Sequence, residues 1–89
     1  MRFELIIDPS ASSDLTRKTV SCMLWSTGDD PQLIDAQVFL SAADLREWLK
    51  VKAARYGENL SVRWTERLKA APAVAKLVAA CLDTKVPAD

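Results

Sequence analysis

The sequence predicts an α+β fold in which an antiparallel meander of three strands is covered by a helix, with a short fourth strand and a C-terminal helical segment to follow. Runs with the two-residue alternation of strands fill the first forty positions. A helix with both ends marked occupies 42–56. After Thr65 the apolar spacing becomes helical.

The first strand is expected over 2–7, with Phe3, Leu5 and Ile7 on one face and Arg2 and Glu4 on the other. Ile6 interrupts the polar face, which suggests partial cover there too. Asp8-Pro9 is expected to end the strand, because proline cannot donate to a ladder. Ser10 to Asp14 reads as a plain loop, since no glycine-rich cradle or P-loop lysine accompanies its serines. In the second strand, 19–25, Val20, Cys22 and Leu24 alternate with Ser21, Met23 and Trp25. Apolar groups on both faces are the pattern of a central strand covered on each side. Thr27-Gly-Asp-Asp-Pro31 is a turn. The third strand, 33–40, sets Ile34, Ala36, Val38 and Leu40 against Asp35 and Gln37.

Ser41 is a good N-cap for the helix 42–56, Asp44 suits its first turn, and Gly57 suits its end. At about 100° per residue, Ala42, Leu45, Leu49, Ala53 and Tyr56 share a face, with Trp48 at its margin. Arg46, Glu47, Lys50 and Ala54 lie opposite. Lys52 projects between Trp48 and Leu45, and its stem is expected to lie along apolar surface with the ammonium in water.

Leu60, Val62 and Trp64 alternate as a strand over 60–64, although Leu60, Trp64 and Leu68 also fit a helical series. A strand here would run parallel to strands one and three, and either could be its neighbour. Thr65-Glu66 opens a helical segment, 66–83, kinked or restarted near Pro72. Val74, Leu77, Val78, Cys81 and Leu82 give it a broad apolar face, and 84–89 is expected to be a frayed tail.

A chain of 89 residues makes a single domain, 1–89. Its 49% apolar and 27% charged residues are those of a globular protein. Formal net charge is zero, yet 1–44 carry −4 and 45–89 carry +4. Opposed halves of this kind can steer a charged partner or neutralise one another within the fold. The absence of histidine removes the commonest general base and metal ligand together. Cys22 and Cys81 form no metal-type cluster and read as small buried apolar residues, with a bridge between them only if the protein is exported. The opening Met1-Arg-Phe-Glu is unlike a signal peptide, and no apolar run nears the roughly 20 residues of a membrane span. A cytoplasmic protein is the expectation.

Nothing in the spacing points to a nucleophile with its base, to metal ligands or to a cofactor, so the chain is not expected to be an enzyme. Asp29, Asp30 and Asp35 lack the regular ligand spacing of a calcium loop. Three tryptophans are many for a core this small, and tryptophan near arginine is typical of interface anchors. The expected function is therefore that of a non-catalytic protein-binding module. Trp25, Trp48 and Trp64 would anchor a partner; Asp29, Asp30 and Asp35 would meet a basic one, and Arg46, Lys50 and Arg63 an acidic one. By analogy of size and class alone, this suggests an inhibitor acting by steric occlusion, in the manner of toxin-immunity proteins or phage-encoded inhibitors of bacterial defence complexes. One alternative is single-stranded nucleic-acid binding through Lys50, Lys52, Arg55, Arg63, Arg67 and Lys69 with Trp48, Tyr56 and Trp64 among them. Another is a small structural subunit or homodimer.

Overall fold

The computed structural model of the protein describes residues 2–11 and 18–83. Its strands are β1 (Phe3–Ala11), β2 (Lys18–Ser26), β3 (Leu33–Phe39) and β4 (Leu60–Trp64). Its helices are α1 (Ala42–Tyr56), α2 (Glu66–Lys69) and α3 (Pro72–Leu82), with a 3₁₀ turn at Gly57–Asn59 leading from α1 into β4. The strands form one sheet in the order β3-β2-β1-β4. Neighbours β1–β2 and β2–β3 are antiparallel, and β1–β4 is parallel, with Phe3 opposite Leu60 and Ile7 opposite Trp64. The expected α+β meander, covering helix, fourth strand and C-terminal helices are all present. Of the two neighbours open to the fourth strand, it takes β1.

β1 does not end at Asp8-Pro9. It continues through Pro9, opposite Val20, to Ala11, opposite Lys18. The reason lies in which way the backbone faces. Thr27 N–H donates to the Arg2 carbonyl at 3.0 Å, so even-numbered residues of β1 turn their backbone groups toward β2. Pro9 is odd and turns its missing donor toward β4, which has already stopped at Trp64, opposite Ile7. A proline on the free side of a strand removes no ladder bond. The expected loop at Ser10 and Ala11 is thus strand, while its remainder (12–14) and the expected frayed tail (84–89) lie outside the described residues.

The caps of α1 form as the side chains dictate. Ser41 Oγ accepts from the Asp44 N–H at 3.4 Å, and Gly57 adopts φ +51°, donating back to the Ala53 carbonyl. Thr65 Oγ1 caps α2 by accepting from the Leu68 N–H at 3.1 Å. Pro72 stands in the first turn of α3, where a missing N–H costs no hydrogen bond. The 66–83 segment is therefore restarted rather than kinked.

The core lies on one side of the sheet. Leu5 and Ile7 of β1 and Val20, Cys22 and Leu24 of β2 meet Leu45 and Leu49 of α1, Leu68 of α2, and Ala75 and Val78 of α3. Phe3, Phe39, Trp48, Tyr56, Leu60, Val62 and Trp64 pack around them. The opposite face has no described element over it. The double-sided apolar pattern of β2 thus corresponds to cover on one face alone: Cys22 and Leu24 are buried, while Met23 and Trp25 remain half-buried on the open side.

Candidate functional site: the β3 rim

β3 shows most clearly what the fold leaves unfinished. Its register places Asp35 opposite Leu24, Gln37 opposite Cys22 and Phe39 opposite Val20, so these residues share the helix-covered side. Ala36 and Val38, opposite Met23 and Ser21, fall on the open side. The apolar stripe of β3 consequently faces away from the helices, and its polar stripe faces toward them.

That inversion is held in place by Asp35. Its Oδ2 is 3.0 Å from Lys52 Nζ and accepts from Trp48 Nε1 at 3.2 Å. Lys52 is only 12% exposed at its side chain, with Nζ 5.4 Å from the Trp48 ring centroid and 6.0 Å from that of Tyr56. Its ammonium thus sits between two aromatic rings and a carboxylate, contrary to the expectation that it reaches water. The Lys52 ammonium, aided by the Trp48 and Ala36 N–H groups, holds the Asp35 carboxyl below its ordinary value against the opposing effect of burial. Phe39 closes the cluster, its ring centroid 5.6 Å from that of Trp48.

Among the described residues, the large exposed apolar side chains gather at this edge. Leu33, Ile34, Val38 and Leu40 are on or beside β3, with exposures from 44% at Ile34 to 71% at Leu40. Val51, 57% exposed, is on α1 one residue before Lys52 and three after Trp48, on the flank that meets β3. A register shift opposite Leu24 and Trp25 marks the start of β3. Before it, the hairpin turn is closed by Ser26 N–H to the Gln32 carbonyl at 2.9 Å and by Gln32 N–H to Ser26 Oγ at 3.0 Å.

The edge is also open to hydrogen bonding. Even-numbered residues of β2 face β3 with their backbone groups, as the Ser26-to-Gln32 bond shows, so Asp35, Gln37 and Phe39 bond back to β2. Ala36 and Val38 turn their N–H and C=O groups outward. Further across the open face, Glu4, Ile6, Trp25, Thr27, Pro31 and Arg63 line a shallow depression of about 420 Å³.

The residues singled out from the sequence are dispersed. Trp25 and Arg63 share the open face, Arg63 lying 3.8 Å from Glu4. Asp29 and Asp30 are exposed on the adjoining turn. Asp35 and Trp48 are joined to Lys52 and α1 on the other side, and Trp64 packs against the core. Arg46 and Lys50 are exposed on the outer side of α1, away from the sheet. Sequence reasoning missed Leu33, Ile34, Val38, Leu40 and Val51 as surface residues. The usable signal was Lys52: a lysine on an apolar helix face calls for a carboxylate, and Asp35 on β3 would have oriented the strand.

Burial pushes the Cys22 thiol up to about 12, which leaves it protonated and poorly nucleophilic at neutral pH. Cys22 and Cys81 are both free. Among the described residues no group of three or more His, Cys, Asp or Glu could hold a metal ion, and no helix is long and apolar enough to cross a membrane. Comparison with protein-family models, with curated proteins and with solved structures finds no match.

Proposed function

We propose that the protein is a non-catalytic protein-binding module whose binding surface is the β3 rim and the open sheet face beside it. One observation carries the reading: among the described residues, the large apolar side chains left exposed cluster around a single strand edge that also offers backbone donors and acceptors. Clustered apolar exposure marks interaction surfaces, whereas isolated exposed leucines do not. Trp25 supplies an aromatic anchor in the neighbouring depression, and Arg63 with Glu4 supplies polar groups at its border. Such a surface acts by occupying part of its partner, which is how a small inhibitor or neutraliser in the cytoplasm would work.

The basic groups invoked for nucleic acid offer weaker support. Lys52, Arg63, Arg67 and Lys69 stand in ion pairs with Asp35, Glu4, Asp8 and Glu66 respectively. Trp48, Tyr56 and Trp64 pack against the core rather than presenting open faces for stacking.

Two charge variants on opposite sides of the molecule test the reading. Val38→Lys places a charge on the rim, and Lys50→Glu reverses one on the outer face of α1. Proteins retained from the source cell by the wild type should be released by V38K and kept by K50E. Retention unaffected by V38K, or abolished by K50E, would move the interface off β3.

A further inference from the structure

Resting on that reading of the rim, we infer that β3 pairs antiparallel with β3 of a second copy, centred on Gln37, to give a continuous eight-stranded sheet. The strand Leu33-Ile-Asp-Ala-Gln-Val-Phe39 carries no lysine, arginine or proline, the usual guards against edge-to-edge pairing. Its one charge, Asp35, is turned to the helix side and paired with Lys52 at 3.0 Å. Formal net charge is zero, so two copies approach without net repulsion.

The phase of the backbone selects the register. The outward-facing residues are Ala36 and Val38, and antiparallel pairing requires such residues to stand opposite one another. Centring on Gln37 does this: the Val38 N–H of each copy donates to the Ala36 carbonyl of the other, and the Ala36 N–H, which also serves the Asp35 carboxylate, is shared with the Val38 carbonyl across the axis. Ile34 then reaches Leu40 of the second copy, burying apolar groups that are 44% and 71% exposed in the single chain. Asp35 falls opposite Phe39. Centring on Asp35 would set two carboxylates face to face, and centring on Ala36 would draw the shifted start of β3 into the ladder. A two-fold axis at Gln37 runs perpendicular to the sheet, so both open faces, each with its Trp25, point the same way. The exposed Val51 side chains on the two α1 flanks come toward the axis on the other side.

The test is solution mass by light scattering over a concentration series, with circular dichroism to verify folding. The wild type should show twice the 9.8 kDa chain mass. Gln37→Lys and Gln37→Asp each set like charges opposite at the axis and should weaken self-association by about tenfold or more. An equimolar mixture of Q37K and Q37D should regain the double mass, and Gln37→Ser, which adds no charge, should keep it. A wild type with single-chain mass at every concentration would overturn self-pairing, as would Q37K and Q37D that dimerise as well as the wild type. If the wild type is a single chain while V38K still releases a captured protein, self-pairing falls and protein binding at the rim stands.

Discussion

Replacing Leu49 by alanine is expected to lower the unfolding free energy by about 2–5 kcal/mol, the cost of lost apolar burial plus an incompletely collapsed cavity. Leu49 is fully buried at the centre of α1, in the same cluster as Leu5 and Leu24 of the sheet and Val78 of α3. It ties the helices to β1 and β2 at once. For 89 residues, total stability on the order of 4–13 kcal/mol follows from typical per-residue values, so this one change removes a large fraction of it. Thermal unfolding should show a melting temperature lower by roughly 10–25 °C. Lys50→Ala, by contrast, alters an exposed side chain on the outer side of α1 and should stay within about 0.5 kcal/mol of the wild type. Equal losses at the two positions would mean that the buried layer is not where the structure places it.

The second large effect is expected at Asp35. Asp35→Ala leaves the Lys52 ammonium, 12% exposed, without its carboxylate, and removes the acceptor of the Trp48 indole N–H. An enclosed polar group deprived of its partner costs roughly 1–3 kcal/mol. Changing both partners to apolar residues, Asp35→Leu with Lys52→Met, should recover much of that loss, because no uncompensated charge remains. The same pair sets an acid dependence. The folded-state pKa of Asp35 is below its ordinary value, so the unfolded chain takes up its proton first as pH falls. The stabilisation is fully present above the unfolded value of about 3.9 and is lost as pH drops through the lower folded value. Denaturant titrations from pH 6 downward should therefore show the wild type losing more stability than Asp35→Asn below about pH 4. Parallel pH profiles would contradict the assigned role of Asp35.

Local signals accounted for nearly every element. Ser41 and Gly57 bound α1, Thr65 opens α2, and Pro72 stands where a helix can begin. These features depend on a residue and its near neighbours, which sequence records directly. Features depending on distant parts of the chain were harder to read. Pro9 reads as a stop unless β4 is known to have ended opposite Ile7. The alternation in β3 separates Ile34 and Val38 from Asp35 and Gln37, but alternation alone does not say which set the helices cover. Ordinary reasoning sends the apolar set inward. Here the Asp35–Lys52 pair and Phe39 against Trp48 hold the strand the other way, so the apolar stripe is left at the surface. Tryptophan content was a poor guide to the site for the same reason. Trp48 and Trp64 pack on the covered side, and Trp25 alone is on the open face.

The acidic and basic halves of the sequence likewise meet within the fold. Glu4, Asp8 and Asp35 from the acidic half pair with Arg63, Arg67 and Lys52 from the basic half. The two exposed pairs, Arg63–Glu4 and Arg67–Asp8, contribute at most about 1 kcal/mol each, and all three leave less charge free to attract a polyanion. The rim of β3, largely neutral and apolar, is the surface where the proposed binding would take place.

Amide hydrogen exchange at Val38 tests that claim most directly, because its N–H points outward from β3 while those of Gln37 and Phe39 point to β2. The protection of Val38 should rise with protein concentration as copies pair, with Gln37 and Phe39 protected throughout. Exchange at Val38 at the rate of an open amide, unchanged by concentration and by addition of a captured protein, would contradict binding at the β3 rim.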